Sequence, residues 1–382
     1  MRKGMENLRL PPVASRRALG ILERILRQPT APFHEHRVRG QIQAELDRLG
    51  VPWRLDAAGN LLARYRRGRA RPVSFLAHMD HPGFEVVSLE GRTALARWNG
   101  QVPTFDLKGL RLALWSDDPE AGRRGTAVVL KGDGRPGAPG NAVDKEIRLA
   151  VPVGTRPGDF GYADLTPFRL QGGRVVSKAL DNVAGCGAMV AALDHLVRHR
   201  LPGDVRLLFT RAEEVGFHGS HAAIRAGTLP SRHPLVVLEC SRAMPGAEQG
   251  LGPVIRVGDR ARVFDPDLAA SCEEAARALQ RQHPALGTQR RLMDGGVCEA
   301  TAFALAGYRA VCLAFPLRNY HNVGASGVRP EFIAAGDFLG GVACLGAFAA
   351  FGLDPQGARR RLSVWARGRF GATELARLKR SR

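Results

Sequence analysis

Four short, nearly uninterrupted apolar runs constrain the fold of this chain most: Val73-Ser-Phe-Leu-Ala77, Val205-Arg-Leu-Leu-Phe-Thr210, Pro234-Leu-Val-Val-Leu-Glu239 and Ala310-Val-Cys-Leu-Ala-Phe315. Runs of this length that are apolar at odd and even positions alike read as strands covered on both faces. Helical spacing surrounds them. Residues 14–28 place Ala18, Leu19, Leu22, Ile25 and Leu26 on one face, and residues 34–49 do the same with Val38, Ile42, Leu46 and Leu49. Further helical stretches are expected over 184–197, 218–227, 267–280 and 301–305, with a last helix over 331–351. The alternation predicts an α/β fold, a mainly parallel sheet with helices on both faces.

One region breaks the alternation. From about 89 to 171, short β-like runs such as Arg111-Leu-Ala-Leu-Trp115 and Thr126-Ala-Val-Val-Leu130 are separated by Gly and Pro clusters, among them Gly132-Asp-Gly-Arg-Pro-Gly-Ala-Pro-Gly140. That texture predicts a smaller all-β domain inserted into the α/β domain. The expected organisation is an α/β domain in two parts, 1–88 and 172–352, the β insert at 89–171, and a basic tail at 353–382. A chain of 382 residues exceeds the roughly 100–200 of one domain, which agrees with two.

With 45% hydrophobic and 24% charged residues, the composition excludes a disordered or collagenous chain. The 56 Lys and Arg against 36 Asp and Glu give a net charge of +20, which raises the question of a nucleic-acid partner. The arginines are spread over the whole chain, and the one dense stretch, from Arg359 to Arg382, is terminal and lacks aromatic interleaving or zinc-finger spacing. A solvated tail is the preferred reading, with nucleic-acid binding as an alternative of another class. Cys186, Cys240, Cys272, Cys298, Cys312 and Cys344 form no CxxC pair or framework, as expected of reduced thiols in a cytoplasmic protein. No segment reaches the ~20 uninterrupted apolar residues of a membrane helix, so no membrane partner is expected.

In α/β sheets chemistry collects beyond the carboxyl ends of the strands. Those places carry His78 and Asp80, Asp181, Glu213-Glu214, Glu239 and His321. Mixed imidazole and carboxylate suits zinc, cobalt or manganese rather than a thiolate structural site. In His78-x-Asp80 the two side chains face the same way in an extended segment, so the carboxylate can orient the imidazole. In Glu213-Glu214 neighbours point apart, so one can ligate while the other remains a base.

Phe75-Leu-Ala-His-Met-Asp-His-Pro-Gly-Phe84, Ser177-Lys-Ala-Leu-Asp-Asn-Val-Ala-Gly185, Phe209-Thr-Arg-Ala-Glu-Glu-Val-Gly216 and Pro316-Leu-Arg-Asn-Tyr-His321 resemble, in this order, the signature segments of the glutamyl aminopeptidase/tetrahedral aminopeptidase family of two-metal exopeptidases. The resemblance runs from about residue 14 to about 350. It implies a metallo-aminopeptidase that removes N-terminal residues from peptides. It also implies two divalent ions, with zinc preferred over cobalt or manganese, and a homo-oligomer assembled through the inserted β domain. By the same resemblance His78 and Glu239 would bind one metal, Glu214 and His321 the other, and Asp181 both. Glu213 would be the catalytic base and Asp80 would orient His78. Two departures stand out. The family has Asp where this chain has Glu239, and its Gly-Gly-Thr-Asp segment reads here Gly295-Gly-Val-Cys-Glu299. A two-metal deacylase or amidohydrolase acting on an N-acyl small molecule is the alternative within hydrolases.

Overall fold

A computed structural model describes residues 8–101, 106–132, 145–369 and 371–381 of the chain. Most of the Gly132–Gly140 cluster therefore lies outside the described residues. The chain opens with α1 (Ser15–Leu26) and α2 (His36–Arg48), then β1 (Trp53–Leu55), β2 (Leu61–Arg67) and β3 (Pro72–His78). Six strands follow: β4 (Gly83–Glu90), β5 (Thr93–Asn99), β6 (Arg111–Trp115), β7 (Arg123–Lys131), β8 (Lys145–Ala150) and β9 (Phe160–Ala163). The small strands β10 (Arg169–Gln171) and β11 (Arg174–Ser177) lead back to α3 (Val183–Arg198), β12 (Gly203–Thr210), α4 (His218–Arg225), β13 (Leu235–Arg242) and β14 (Val254–Gly258). Next come α5 (Pro266–Gln282), β15 (Gln289–Leu292), α6 (Glu299–Leu305) and β16 (Ala310–Leu317). The chain ends with the hairpin β17 (Val323–Gly324) and β18 (Gly327–Val328), then β19 (Glu331–Ala334), α7 (Ala335–Phe351), α8 (Pro355–Arg367) and α9 (Ala372–Arg380).

Eight strands form one sheet in the order β1-β2-β12-β3-β13-β16-β14-β15. The four apolar runs are its centre, and β12, β3, β13 and β16 run parallel to one another. The flanks differ from the expectation of a mainly parallel sheet, because β2 and β14 pair antiparallel with β12 and β16. The sheet is mixed. On the β2 side the reason is local: β1 and β2 pair antiparallel across a short loop, with Trp53 opposite Ala63, and such a pair needs no crossover helix.

Alternate side chains of the central strands feed two separate cores. Val73, Phe75, Ala77, Val236 and Leu238 pack with α1, α3, α5 and α7 on one face. Leu76, Leu208, Leu235 and Val237 pack with Ala223 of α4 and Ala300 and Phe303 of α6 on the other. This two-sided burial is what the apolar runs required. Helix α3 is buried from Val183 to Leu196. At Gly187 a Cβ would approach the Leu22 side chain to 2.6 Å, so glycine lets α1 and α3 cross closely.

The chain leaves this sheet after β3 and builds a closed barrel in the order β4-β5-β8-β7-β6-β9. Phe84, Val86, Ala96, Trp98, Leu112, Leu114, Ile147 and Leu149 fill its interior. Its strands span 83 to 163, whereas the β texture in the sequence was read as running from about 89 to 171. Residues 169–177 belong instead to a three-stranded antiparallel sheet, β10-β11-β19. The last helix starts at Ala335 and not at 331, because Glu331–Ala334 is a strand paired with β11, its residues alternating buried and half-buried. Among the described residues no single helix is long and apolar enough to cross a membrane. Much of the basic C-terminal segment is helical: Asp354 caps α8 by accepting from the Gly357 N–H, and Pro355 occupies its first turn.

Candidate metal and catalytic site

Because the central strands are parallel, their carboxyl ends lie along one edge of the sheet, and the candidate residues sit there. His78 is the last residue of β3. Glu213 and Glu214 follow β12 in a loop bounded by Ala212 (φ 49°) and Phe217 (φ 57°). Glu239 lies within β13, which continues to Arg242 rather than ending at Glu239. Asp181 immediately precedes α3, and the Asp181–Asn182 peptide is cis. His321 lies in a short turn after β16, with Asn319, His321 and Asn322 all at positive φ. Non-glycine residues in the left-handed region cost about 1–3 kcal/mol each and collect where surrounding structure holds them for function.

The geometry is that of two imidazoles around one carboxylate. His78 Nε2 is 3.6 Å from Asp181 Oδ1 and 3.7 Å from Glu239 Oε1. His321 Nε2 is 3.4 Å from Asp181 Oδ2 and 3.3 Å from Glu214 Oε1. Glu213 Oε2 is 3.8 Å from His78 Nε2. These separations are too long for hydrogen bonds and close to the ~3.4 Å between donors that stand ~2.1 Å from a tetrahedral zinc ion. Asp181 Oδ1, Glu214 Oε1 and His321 Nε2 are all buried without a hydrogen-bond partner. Ligand-capable atoms of His78, Asp181 and Glu214 lie within 4.8 Å of one another, as do those of His78, Glu213 and Glu239. Buried polar atoms left unsatisfied are costly, so their convergence fits a cation.

Electrostatics agrees. Burial pushes Glu213 and Glu239 well above the usual carboxylate range, reinforced by the neighbouring negative charges, and Glu214 is raised for the same primary reason. Burial opposes the charge on His321, yet Glu214 and Asp181 outweigh it and hold the imidazole up to about 10. His78 is likewise raised by Glu213, Asp181, Asp80 and Glu239 against the effect of burial. Asp181 is held low despite burial, by His321 and His78. Asp181, Glu213, Glu214 and Glu239 thus gather around the imidazoles of His78 and His321, a set of carboxylates whose charge a divalent cation would balance.

The supporting residues were less visible in the sequence. Asp80, read as the partner of His78, has its carboxylate engaged elsewhere: Oδ1 accepts from the Glu213 N–H and Oδ2 from the Glu214 N–H, each at 3.0 Å. Its Oδ1 is 3.5 Å from His78 Nδ1, and its carbonyl is closer to that nitrogen, at 3.1 Å. His81 donates Nδ1–H to the Asp181 carbonyl at 2.5 Å, and burial, with His321 nearby, lowers its pKa to about 4. Gln101, just past β5 of the barrel, accepts from His321 Nδ1–H at 2.9 Å. Tyr320 stacks on the His321 ring at 3.8 Å. The His-Met-Asp-His run was a signal for His81; nothing local marks Gln101, whose contact with His321 spans 220 positions. Gly295, Gly296 and Val297 do line the cleft over the site, a cavity of about 160 Å³ that extends past Ser241, Met244 and Arg256. Cys298 and Glu299 are buried beneath it, Cys298 among apolar residues and Glu299 accepting from the hydroxyls of Thr210 and Ser220.

Comparison with known proteins adds a decisive finding: the family model of the M42 glutamyl aminopeptidases matches residues 145–328, the stretch that carries Asp181, Glu213, Glu214, Glu239 and His321. The chain is similar to this family over that stretch, just under half of its length. It is accordingly a hydrolase of the aminopeptidase class. M42 peptidases are metal-dependent, and this chain offers acidic and histidine groups that could bind metal. An inferred aminopeptidase of Acetivibrio thermocellus is 24% identical over 316 residues, 76% of this chain and 87% of that protein. Two solved structures share the fold. The TET aminopeptidase of Thaumarchaeota archaeon SCGC AB-539-E09 has a TM-score of 0.73 at 18% identity, covering 90% of this chain and 99% of its own. The Pyrococcus horikoshii TET1 peptidase, described as assembling into a tetrahedron or a large octahedral shell, has a TM-score of 0.69 at 22% identity, covering 87% and 99%.

Proposed function

We propose that this protein is a two-metal aminopeptidase of the M42 kind that removes N-terminal residues from peptides. In this reading His78 and Glu239 would hold one ion, Glu214 and His321 the other, and Asp181 would serve both. The carrying observation is the Asp181 carboxylate, one oxygen toward each imidazole at 3.6 and 3.4 Å, amid buried polar atoms that lack any protein partner. Divalent ions, when bound, would polarise a carbonyl and favour ionisation of a water, and zinc suits the donor set, as do cobalt and manganese. Glu213 acts as the base: its carboxylate faces the cleft beside His78, takes the proton of the attacking water and delivers it to the leaving amine. Asp80 keeps Glu213 and Glu214 in place through their amides and presents its carbonyl to His78 Nδ1–H, which leaves Nε2 free to ligate.

The test is metal analysis together with hydrolysis of aminoacyl chromogenic amides. Two equivalents of metal, and turnover that disappears when the substrate's α-amine is acylated, are the expected results. Turnover confined to N-acyl substrates would replace this reading with the deacylase one. The barrel is the proposed assembly surface, a reading supported by the TET relatives, which form large homo-oligomers. Light scattering of a barrel-surface variant such as Val153→Glu, at a position 83% exposed, checks it. The six free, buried cysteines support a reducing, cytoplasmic setting.

A further inference from the structure

One buried carboxylate near the site belongs neither to the ligand set nor to the base. Glu331, fully buried, is the first residue of β19, opposite Ser177 of β11. Its Oε2 accepts from the N–H groups of Leu180 at 2.7 Å and Asp181 at 3.1 Å, and its Oε1 accepts from the N–H of His321 at 2.9 Å. The Lys178 ammonium and the His321 imidazole lie near enough to interact with its charge. Both oxygens are directed at backbone, and at the backbone of two ligand-bearing loops that are far apart in sequence and share no strand pairing.

We infer that Glu331 is a positioning residue that sets the spacing between Asp181 and His321 before any metal arrives. Three features require such a device. His321 sits at φ 53° between Asn319 and Asn322, also at positive φ; Asn319 and Asn322 donate their side-chain amides to the Pro330 and Lys178 carbonyls, and Glu331 holds the His321 amide itself. Asp181 lies in a connection between β11 and α3, outside any ladder. Glu331 itself is fixed by β19, whose pairing with β11 and the Phe332–Arg318 bridge lock its height above the sheet. The arrangement repeats that of Asp80, whose two oxygens hold the amides of Glu213 and Glu214. Two buried carboxylates thus hold backbone N–H groups of the loops bearing Asp181, Glu214 and His321.

This inference rests on the two-metal reading for its consequence, and the experiment separates the two. In a cobalt(II) titration followed by visible absorption, His78→Ala and His321→Ala assign the two binding phases of the wild-type protein. Glu331→Gln keeps shape but offers one acceptor oxygen and turns an N–H₂ group toward backbone donors. It is expected to weaken the phase assigned to His321 by about 10–100-fold and to alter its spectrum, with a smaller loss in the phase assigned to His78. Equal losses in both phases, or none in either, overturn the inference. Hydrogen exchange of the metal-free wild type decides the matter should the variant not fold: the Leu180, Asp181 and His321 amides are expected to be protected without metal, and fast exchange there overturns the clamp. Fewer than two wild-type equivalents would defeat the two-metal reading while leaving the exchange result to judge Glu331.

Discussion

The central sheet and the barrel are built from strands of comparable length, yet they contribute to the site very unequally. β3 is buried from its second residue to His78, and β16 is buried throughout, whereas β8 of the barrel alternates buried Ile147 and Leu149 with exposed Glu146 and Arg148. The buried sheet is parallel at its centre, so consecutive strands end on the same edge and their terminal residues converge. Barrel strands are antiparallel, so their ends scatter to opposite rims, and Gln101 is the barrel residue hydrogen-bonded to a candidate ligand among the described residues. Strand direction, more than strand composition, decides which region can assemble chemistry.

Four experiments would break or sharpen this contrast. Removing metal with a chelator is expected to abolish hydrolysis and to lower the thermal midpoint of the α/β domain, measured by calorimetry. Ions held at 100 times their dissociation constant stabilise a fold by about 2.7 kcal/mol. Metal affinity should also fall as pH falls, because burial raises Glu214 and Glu239, which take up protons as acidity increases and must release them to ligate. A chelated protein with unchanged turnover would separate the site from metal altogether. Next in size, Glu213→Gln is expected to lower kcat about 10²–10⁴-fold with metal content and melting unchanged. Intact turnover would remove Glu213 from the base role.

Gln101→Ala should have a smaller effect. Its partner His321 keeps the backbone anchor of Glu331 but loses its orienting acceptor, so metal affinity should drop by about 10-fold or less, read by competition with a chromophoric chelator. A loss as large as that of His321→Ala would mean that the barrel is an equal partner in the site. Last, Leu149→Ala in the barrel interior should cost about 2–5 kcal/mol of stability in denaturant unfolding yet leave kcat at low temperature within twofold. A fall in kcat parallel to the fall in stability would erase the distinction between the two regions.

Much of the site could be read from the sequence because its residues stand next to features with strong local signals. His78 ends an apolar run, Glu213-Glu214 follow another, and His321 trails a third, so periodicity alone placed them at strand ends. Glu239 was expected to end its strand, but the pairing of β13 with β16 continues to Arg242 opposite Leu317, a register that local composition does not report. Glu331 was expected inside a helix. Phe332 and Ile333 continue the apolar pattern of α7 with no breaker before Ala335, and only the long-range pairing with β11 makes the segment a strand. Gln101 carried no signal, since its partner His321 is 220 positions away.

By itself, then, the sequence determined the class of fold and the stock of chemically able residues, because burial on both faces demands apolar runs and ligation demands His and carboxylates. Tertiary structure alone decided the antiparallel flanks of the sheet, the closure of the barrel and the assignment of Asp80 and Glu331 to backbone N–H groups. These depend on which distant segments meet. Hydrogen-bond geometry across such contacts is set by register and loop path, and composition along the chain does not encode either.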